Sequence, residues 1–170
     1  MLCAAGGTDR TGGIIHFYSA SGRAAAGDLT RNIIGIILAC IFGGLSVLHI
    51  YWAAGGRLGK AAAVPTAGGE PAFEPTASTT LLVAAGLAAA MLIIFGGLGL
   101  FGEVVAPVTF AWLTLAIALL FLMRAIGDFG LVGFFKQPSD SKFAYWDTRL
   151  YSPLCLAVTL LAFVFLYLRP

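Results

Sequence analysis

The sequence predicts an all-α integral membrane protein, built as a four-helix antiparallel transmembrane bundle. Of its 170 residues, 59% are hydrophobic and 11% are charged, and the mean hydropathy of +0.94 is implausible for a water-facing surface. Crossing a bilayer takes roughly 20 apolar helical residues. Four stretches meet this length without an acidic or basic residue in their central turns: 32–54, 79–101, 107–126 and 150–168.

The chain divides into residues 1–31, an exposed N-terminal extension, and residues 32–168, one transmembrane domain. The extension is rich in Gly and Ala, is charged, and lacks the continuous apolar core of a secretory signal. We expect the first helix to begin after Thr30-Arg31-Asn32. Because lipid offers no hydrogen-bond partners, the crossing segments must be helices.

The connections between the helices carry strong helix-breaking signals. Glycines and prolines crowd 55–77, which predicts an irregular loop, and hydroxyls in 76–80 can cap the second helix. The short 102–106 link makes helices two and three an antiparallel hairpin, and Pro107 suits a first helical turn. Pro153 fits the first turn of a helix that starts near Leu150, but it should kink a helix that starts earlier.

Glycines recur inside the first two helices, where small residues let backbones approach closely. Tight helix packing is the expected role. Space for a flat ligand is the alternative. The positions concerned are Gly35, Gly43, Gly44, Gly86, Gly96, Gly97 and Gly99.

Helices that alternate direction bring most of the polar chemistry to one membrane face, and the opposite face offers little beyond Glu103 and the chain ends. Arg124 and Asp128 are four residues apart, so an ion pair is expected. Asp147 can cap backbone N–H groups or accept hydrogen bonds from Arg124, and with Arg149 these residues predict a four-member network that fastens helix three to helix four. The alternative is that Arg124 binds an anionic group. The candidate polar cluster comprises His49, Tyr51, Trp52, Arg124, Asp128, Asp147 and Arg149.

His49 is the one histidine within a predicted transmembrane helix. A hydrogen-bonded structural role is favoured, with proton transfer or contact to a polar ligand as the alternatives. Because no second helical histidine or acidic cluster accompanies it, we expect no protein-ligated metal, and we assign no catalytic residue. Tyr51 and Trp52 suit the headgroup zone.

The run 129–136 is apolar but too short to cross. We expect it to lie along the interface, with Phe134 and Phe135 dipping into lipid and Lys136 reaching anionic headgroups. A lid over a pocket beneath His49 and Arg124 is the alternative.

Three strings stand out at the polar face: HIYWAAGG (49–56), RAIGDFGLVGFFK (124–136) and FAYWDTRLYSPLC (143–155). They resemble an uncharacterised bacterial membrane-protein family, domain of unknown function 3995, and the likeness covers about 33–168. The resemblance implies a compact four-helix membrane protein and supplies no activity or catalytic residues. The long N-terminal arm departs from the family's shorter start.

The sequence favours a non-catalytic accessory or partner-binding subunit of a larger membrane complex. The alternative is a small enzyme or ligand-binding protein that acts on a lipid-like or anionic amphiphile at the His49/Arg124 face. A transporter fits less well because no inverted repeat is visible. The expected partners are membrane lipids, including a bound lipid, and other membrane subunits. A net charge of +2 is too small to suggest nucleic acid.

The expected location is the bacterial inner membrane. Loop one (55–77) and loop three (127–149), with the adjoining helix end at Arg124, carry more Lys and Arg than the chain ends and the second loop, which weakly favours placing them in the cytoplasm. Ion pairing of Arg124 and Arg149 at the helix ends would remove that margin.

Overall fold

The computed structural model describes residues 10–67, 70–72, 74–102, 104–127, 130, 132–136 and 141–169. In this part of the chain, four helical segments are long and apolar enough to cross a membrane, and they end at Ala53, Gly97, Ile126 and Tyr167. The predicted fold class is therefore confirmed. The helices are α1 (Arg10–Ala53), α2 (Lys60–Ala63), α3 (Ala77–Gly97), α4 (Pro107–Ile126), α5 (Lys142–Trp146) and α6 (Ser152–Tyr167).

The long helices follow the cyclic order α1, α3, α4, α6, in which each helix packs against two neighbours. The α1–α3 and α4–α6 contacts are the most extensive. Apolar side chains from all four helices meet in one central core, whose fully buried members include Leu38, Phe42, Ile94 and Val158. Chain neighbours are thus also spatial neighbours, as short connections between antiparallel helices require.

Helix α1 begins at Arg10, well before the predicted start near Asn32. The predicted boundary was wrong because hydropathy marks the lipid-crossing part of a helix and not its end. Extending an existing helix fixes one residue per added hydrogen bond, so Ala-rich sequence such as 24–26 continues it at little cost. Residues 1–9 of the predicted extension lie outside the described residues.

The start of α3 and both ends of α4 agree closely with the sequence, whereas α3 ends at Gly97, four residues before the predicted end at Phe101. Thr76 caps α3, since its Oγ1 accepts a hydrogen bond of 3.2 Å from the Thr79 backbone N–H. Helix α4 has Pro107 in its first turn and ends at Ile126, as predicted. Gly127 follows at φ +92°, in the left-handed region that glycine adopts without a steric penalty.

Loop one is more ordered than its glycines and prolines suggested. It contains α2 and two short antiparallel strands, β1 (Thr66–Ala67) and β2 (Glu70–Pro71), with Thr66 paired to Pro71. The glycines and prolines of this loop limit the length of these elements but do not prevent them from forming. Helix α2 packs against α5, so loop one covers part of the polar membrane face.

The fourth transmembrane segment begins at Lys142 rather than near Leu150. Helix α5 leads into a π-helical turn, Asp147–Tyr151, and then directly into α6. The turn lies immediately before Pro153, whose ring would clash with the carbonyl four residues earlier in a regular α-helix. Here the Ser152 backbone N–H donates to the Asp147 carbonyl, five residues back. The wider turn therefore carries the helix past the proline, where the sequence predicted a kink.

Some of the predicted packing glycines lie at close helix contacts, and others do not. A Cβ on Gly96 would stand 2.1 Å from the Phe110 ring, and one on Gly35 would meet Leu98 at 2.8 Å. A Cβ on Gly43 or Gly97 would also be tight. Gly44, Gly86 and Gly99 have open space instead. Close packing is thus confirmed only for Gly35, Gly43, Gly96 and Gly97.

Buried hydroxyls join neighbouring helices across the core. Ser46 Oγ donates to the Ala84 carbonyl at 2.8 Å, which links α1 to α3. Thr159 Oγ1 lies 2.9 Å from the Cys155 carbonyl within α6 and 3.3 Å from the Ala118 carbonyl of α4. Such bonds stabilise helix association in lipid, where the hydrophobic effect between helices is weak.

We predict that Gly96→Ala lowers the thermal unfolding midpoint of the protein in detergent micelles. The added methyl group collides with the buried Phe110 ring, and overpacking of this kind costs about 1–3 kcal/mol. Gly86→Ala is the matched control, since nothing lies within 4 Å of its Cβ position. Equal midpoints for the two variants would show that α3 and α4 are not in close contact at Gly96.

Candidate functional site

The polar face of the bundle is centred on the carboxylate of Asp147, whose side chain is fully buried. Oδ1 accepts a hydrogen bond of 2.8 Å from Arg124 Nη2. Oδ2 accepts from the Gly133 backbone N–H at 2.9 Å, from Lys136 Nζ at 3.0 Å and from Ser152 Oγ at 3.2 Å. Two cations and two neutral donors thus compensate the loss of hydration of this acid.

The chain brings these donors together from three separate places. Arg124 lies in the last turn of α4, Lys136 lies in the connection after it, and Ser152 begins α6. One carboxylate therefore joins the end of α4, the connecting loop and the start of the last transmembrane helix. The predicted Arg124–Asp147 hydrogen bond is present.

The connecting loop folds back onto the end of α4. The Phe134 N–H donates to the Ala125 carbonyl at 2.8 Å, which satisfies a terminal helix carbonyl. Gly127 and Gly133 have φ of +92° and +90°, and their backbones are in close contact. A Cβ on Gly127 would overlap the Val132 carbonyl. This turn needs glycine at both positions, and it aims the Gly133 N–H at Asp147.

Lys136 points inward, which corrects the prediction that it reaches lipid headgroups. Only 8% of its side chain is exposed, and Nζ lies 3.0 Å from the Gly133 carbonyl and 2.7 Å from Thr148 Oγ1, besides its ion pair with Asp147. The buried carboxylate attracts the ammonium group more strongly than a screened headgroup layer would. Phe134 and Phe135 are 46% and 64% exposed, which agrees with their predicted position against lipid.

The predicted four-member network has a different membership in the structure. Arg149 lies outside it: its guanidinium carbon is 3.9 Å from the centre of the Tyr145 ring, and the residue is exposed. A cation over an aromatic face suits the headgroup zone. Asp128 lies outside the described residues, so its expected pairing with Arg124 stays a prediction. Lys136 and Ser152, which the sequence analysis did not include, contact Asp147 instead of Arg149.

His49, Tyr51 and Trp52 secure the end of α1 and the start of loop one. His49 Nδ1 lies 2.7 Å from the Leu45 carbonyl, and since a carbonyl only accepts, Nδ1 carries the proton. Trp52 Nε1 donates to the Leu58 carbonyl at 2.8 Å, and Tyr51 Oη accepts from the Leu58 N–H at 3.4 Å. These contacts agree with the structural role favoured for His49.

His49 and Arg124 line different cavities. The cavity at His49, of about 210 Å³, lies beneath loop one and includes Trp52, Lys60 and Thr80 in its wall. Arg124 stands at one end of an almost wholly apolar groove of about 410 Å³ between α3 and α4. The predicted cluster is therefore divided into a loop-one group, an ion-paired group around Asp147, and Arg149 on the surface.

Sequence reasoning missed Lys136, Ser152 and the Gly133 N–H as partners of Asp147. A usable signal exists for the loop: two glycines six residues apart, directly after a predicted helix, suit a turn that doubles back. The pairing of Arg124 and Lys136 with Asp147 also removes the excess of free cations that favoured cytoplasmic loops one and three.

The comparison with known families places most of the chain in one family. A model for the protein of unknown function family DUF3995 matches residues 42–162, which contain every described residue of the Asp147 network. The chain belongs to this family. No curated protein and no solved structure matches it. The resemblance noted from the sequence is therefore confirmed. The matched region begins within α1 and ends within α6.

We predict that Asp147→Asn strongly destabilises the protein. An amide cannot neutralise Arg124 and Lys136, and leaving buried cations unpaired costs about 2–4 kcal/mol, less than the full burial limit because Arg124 is 34% exposed. The measurement is the unfolding midpoint in micelles, with Arg149→Gln as the control because Arg149 lies outside the network. An unchanged midpoint for Asp147→Asn would contradict a stabilising role for the carboxylate.

Proposed function

We propose that this protein is a non-catalytic, partner-binding subunit of a larger membrane complex. The observation that carries the proposal is the outward groove between α3 and α4, of about 410 Å³, which the bundle leaves unfilled. Its occupant is a transmembrane helix of a partner protein. The groove is lined by Val83, Gly86, Leu87, Ala90, Ile117, Leu120, Phe121 and Arg124.

The residues of α3 beside the groove suit a second helix. Gly86 and Ala90 both line the groove and are one turn apart on α3, and Gly86 is exposed. Small residues at this spacing let two helix backbones approach closely. A Cβ at Gly86 would meet nothing within 4 Å, whereas the glycines at the bundle's own close contacts are covered by side chains.

The polar face supports a structural rather than a catalytic assignment. Both oxygens of Asp147 are engaged by Arg124, Lys136, Ser152 and the Gly133 N–H. A general acid or base needs an oxygen free to reach a substrate. The alternative, an enzyme or ligand-binding protein using His49 with Arg124, requires one shared pocket, and these two side chains line different cavities.

We predict that Gly86→Leu disrupts co-purification of the partner from host membranes in mild detergent, because the leucine side chain occupies the space of the incoming helix. Gly44→Leu is the matched control: Gly44 is also an exposed helical glycine with open space around its Cβ, but it lies on α1. Loss of the partner with Gly86→Leu and its retention with Gly44→Leu is the expected result.

Photo-crosslinking identifies the occupant directly. A crosslinking side chain at Leu120, which is 65% exposed and lines the groove, should capture the partner, while one at Leu160, which is 57% exposed on α6, should not. A monomer without crosslinked protein, or equal crosslinks at both positions, would contradict the proposal. A crosslink only to a second copy of this chain would replace the accessory-subunit assignment with a homodimer.

A further inference from the structure

A second basic site lies on the membrane face opposite the Asp147 network. Arg31 of α1 and Arg169, just beyond α6, line one cavity of about 350 Å³ together with the start of α4 at Pro107. From the sequence, this face was expected to offer little beyond the chain ends and Glu103. Glu103 lies outside the described residues. Both arginines also lie outside the residues 42–162 that match the family.

The Arg31 guanidinium is held in place, but not all of its buried N–H groups donate hydrogen bonds within the part of the chain that the structure describes. Nη2 donates a hydrogen bond to the Gly97 carbonyl at the end of α3, and the guanidinium carbon lies 4.9 Å from the centre of the Phe165 ring. Nε is buried and has no hydrogen-bond partner among the residues that the structure describes. A buried donor without an acceptor is costly, so an acceptor supplied by a ligand would be favourable.

Within the part of the chain that the structure describes, no ion pair neutralises the two arginines of this cavity. Both ion pairs found there use Asp147, on the other face, so neither Arg31 nor Arg169 has a carboxylate in salt-bridge contact. Asp28, an exposed residue one turn before Arg31, attracts the guanidinium without forming an ion pair with it. Two cations beside one cavity repel each other unless an anion lies between them. The positive end of the α4 dipole adds to this potential.

Most of the remaining wall of the cavity is apolar, and the hydroxyl of its one polar side chain, Thr114, donates to the Phe110 carbonyl within α4. Phe110 and Phe165 are buried side chains of this wall, and Val108 and Leu166 also line it. Planar guanidinium groups above apolar walls match a ligand with an anionic head and hydrocarbon chains. We propose that Arg31 and Arg169 bind the phosphate group of an anionic phospholipid, with its acyl chains against these walls.

The test uses the purified full chain in maltoside micelles and follows the thermal unfolding midpoint against ligand concentration. The probes are dioctanoyl phosphatidic acid, dioctanoylglycerol and inorganic phosphate. Phosphatidic acid is expected to raise the midpoint at concentrations where dioctanoylglycerol and inorganic phosphate do not. The Arg31→Gln/Arg169→Gln variant should bind phosphatidic acid at least about tenfold more weakly, as loss of charge-assisted hydrogen bonds implies.

Two further variants keep the test decisive. Arg57→Gln removes an exposed cation from the other membrane face and should bind phosphatidic acid as the unmodified protein does. Arg169→Gln alone removes an exposed side chain, so a weaker affinity in this variant does not depend on the Arg31–Gly97 bond surviving. Unchanged affinity in both arginine variants, or equal stabilisation by dioctanoylglycerol, would overturn the proposal. Equal stabilisation by inorganic phosphate would show that the cavity binds free phosphate and not a phospholipid.

This inference is independent of the partner-binding proposal. The groove between α3 and α4 and the arginine cavity have different lining residues, so Gly86→Leu should leave phosphatidic acid binding unchanged.

Discussion

The arrangement of the polar face depends on the buried carboxylate of Asp147. Its charge is tolerated only because Arg124 and Lys136 approach it from α4 and from the following loop. These two ion pairs hold in place the end of α4, the chain reversal at Gly127 and Gly133, and the start of the π-helical turn. The carboxylate therefore links the end of α4, the connecting loop and the start of α6 by hydrogen bonds, which act together with van der Waals packing in lipid.

The transmembrane architecture could be predicted from the sequence because lipid allows few solutions. The bounds of α4, from Pro107 to Ile126, and the Thr76 cap of α3 follow from local signals that do not depend on distant contacts. The early start of α1 could not be predicted in the same way, because hydropathy does not report how far a helix extends into the aqueous region.

The membership of the Asp147 network was only partly predictable. Arg124 and Asp147 were identified because charges at facing helix ends tend to pair. Lys136 was assigned to the lipid surface, since a lysine beside two phenylalanines usually extends toward headgroups. Its inward position follows from the reversal of the loop at Gly127, which brings Lys136 to a carboxylate eleven residues further along the chain. The Arg31 cavity likewise depends on which helices become neighbours.

We infer that the ion pair between Arg124 and Asp147 stabilises the fold. A double-mutant cycle measures this contribution, with unfolding free energies determined in micelles for Arg124→Gln, Asp147→Asn and the combined variant. We expect the combined loss to fall short of the sum of the single losses by about 1–3 kcal/mol, as for residues in one ion-paired network. Strictly additive losses would contradict the claim.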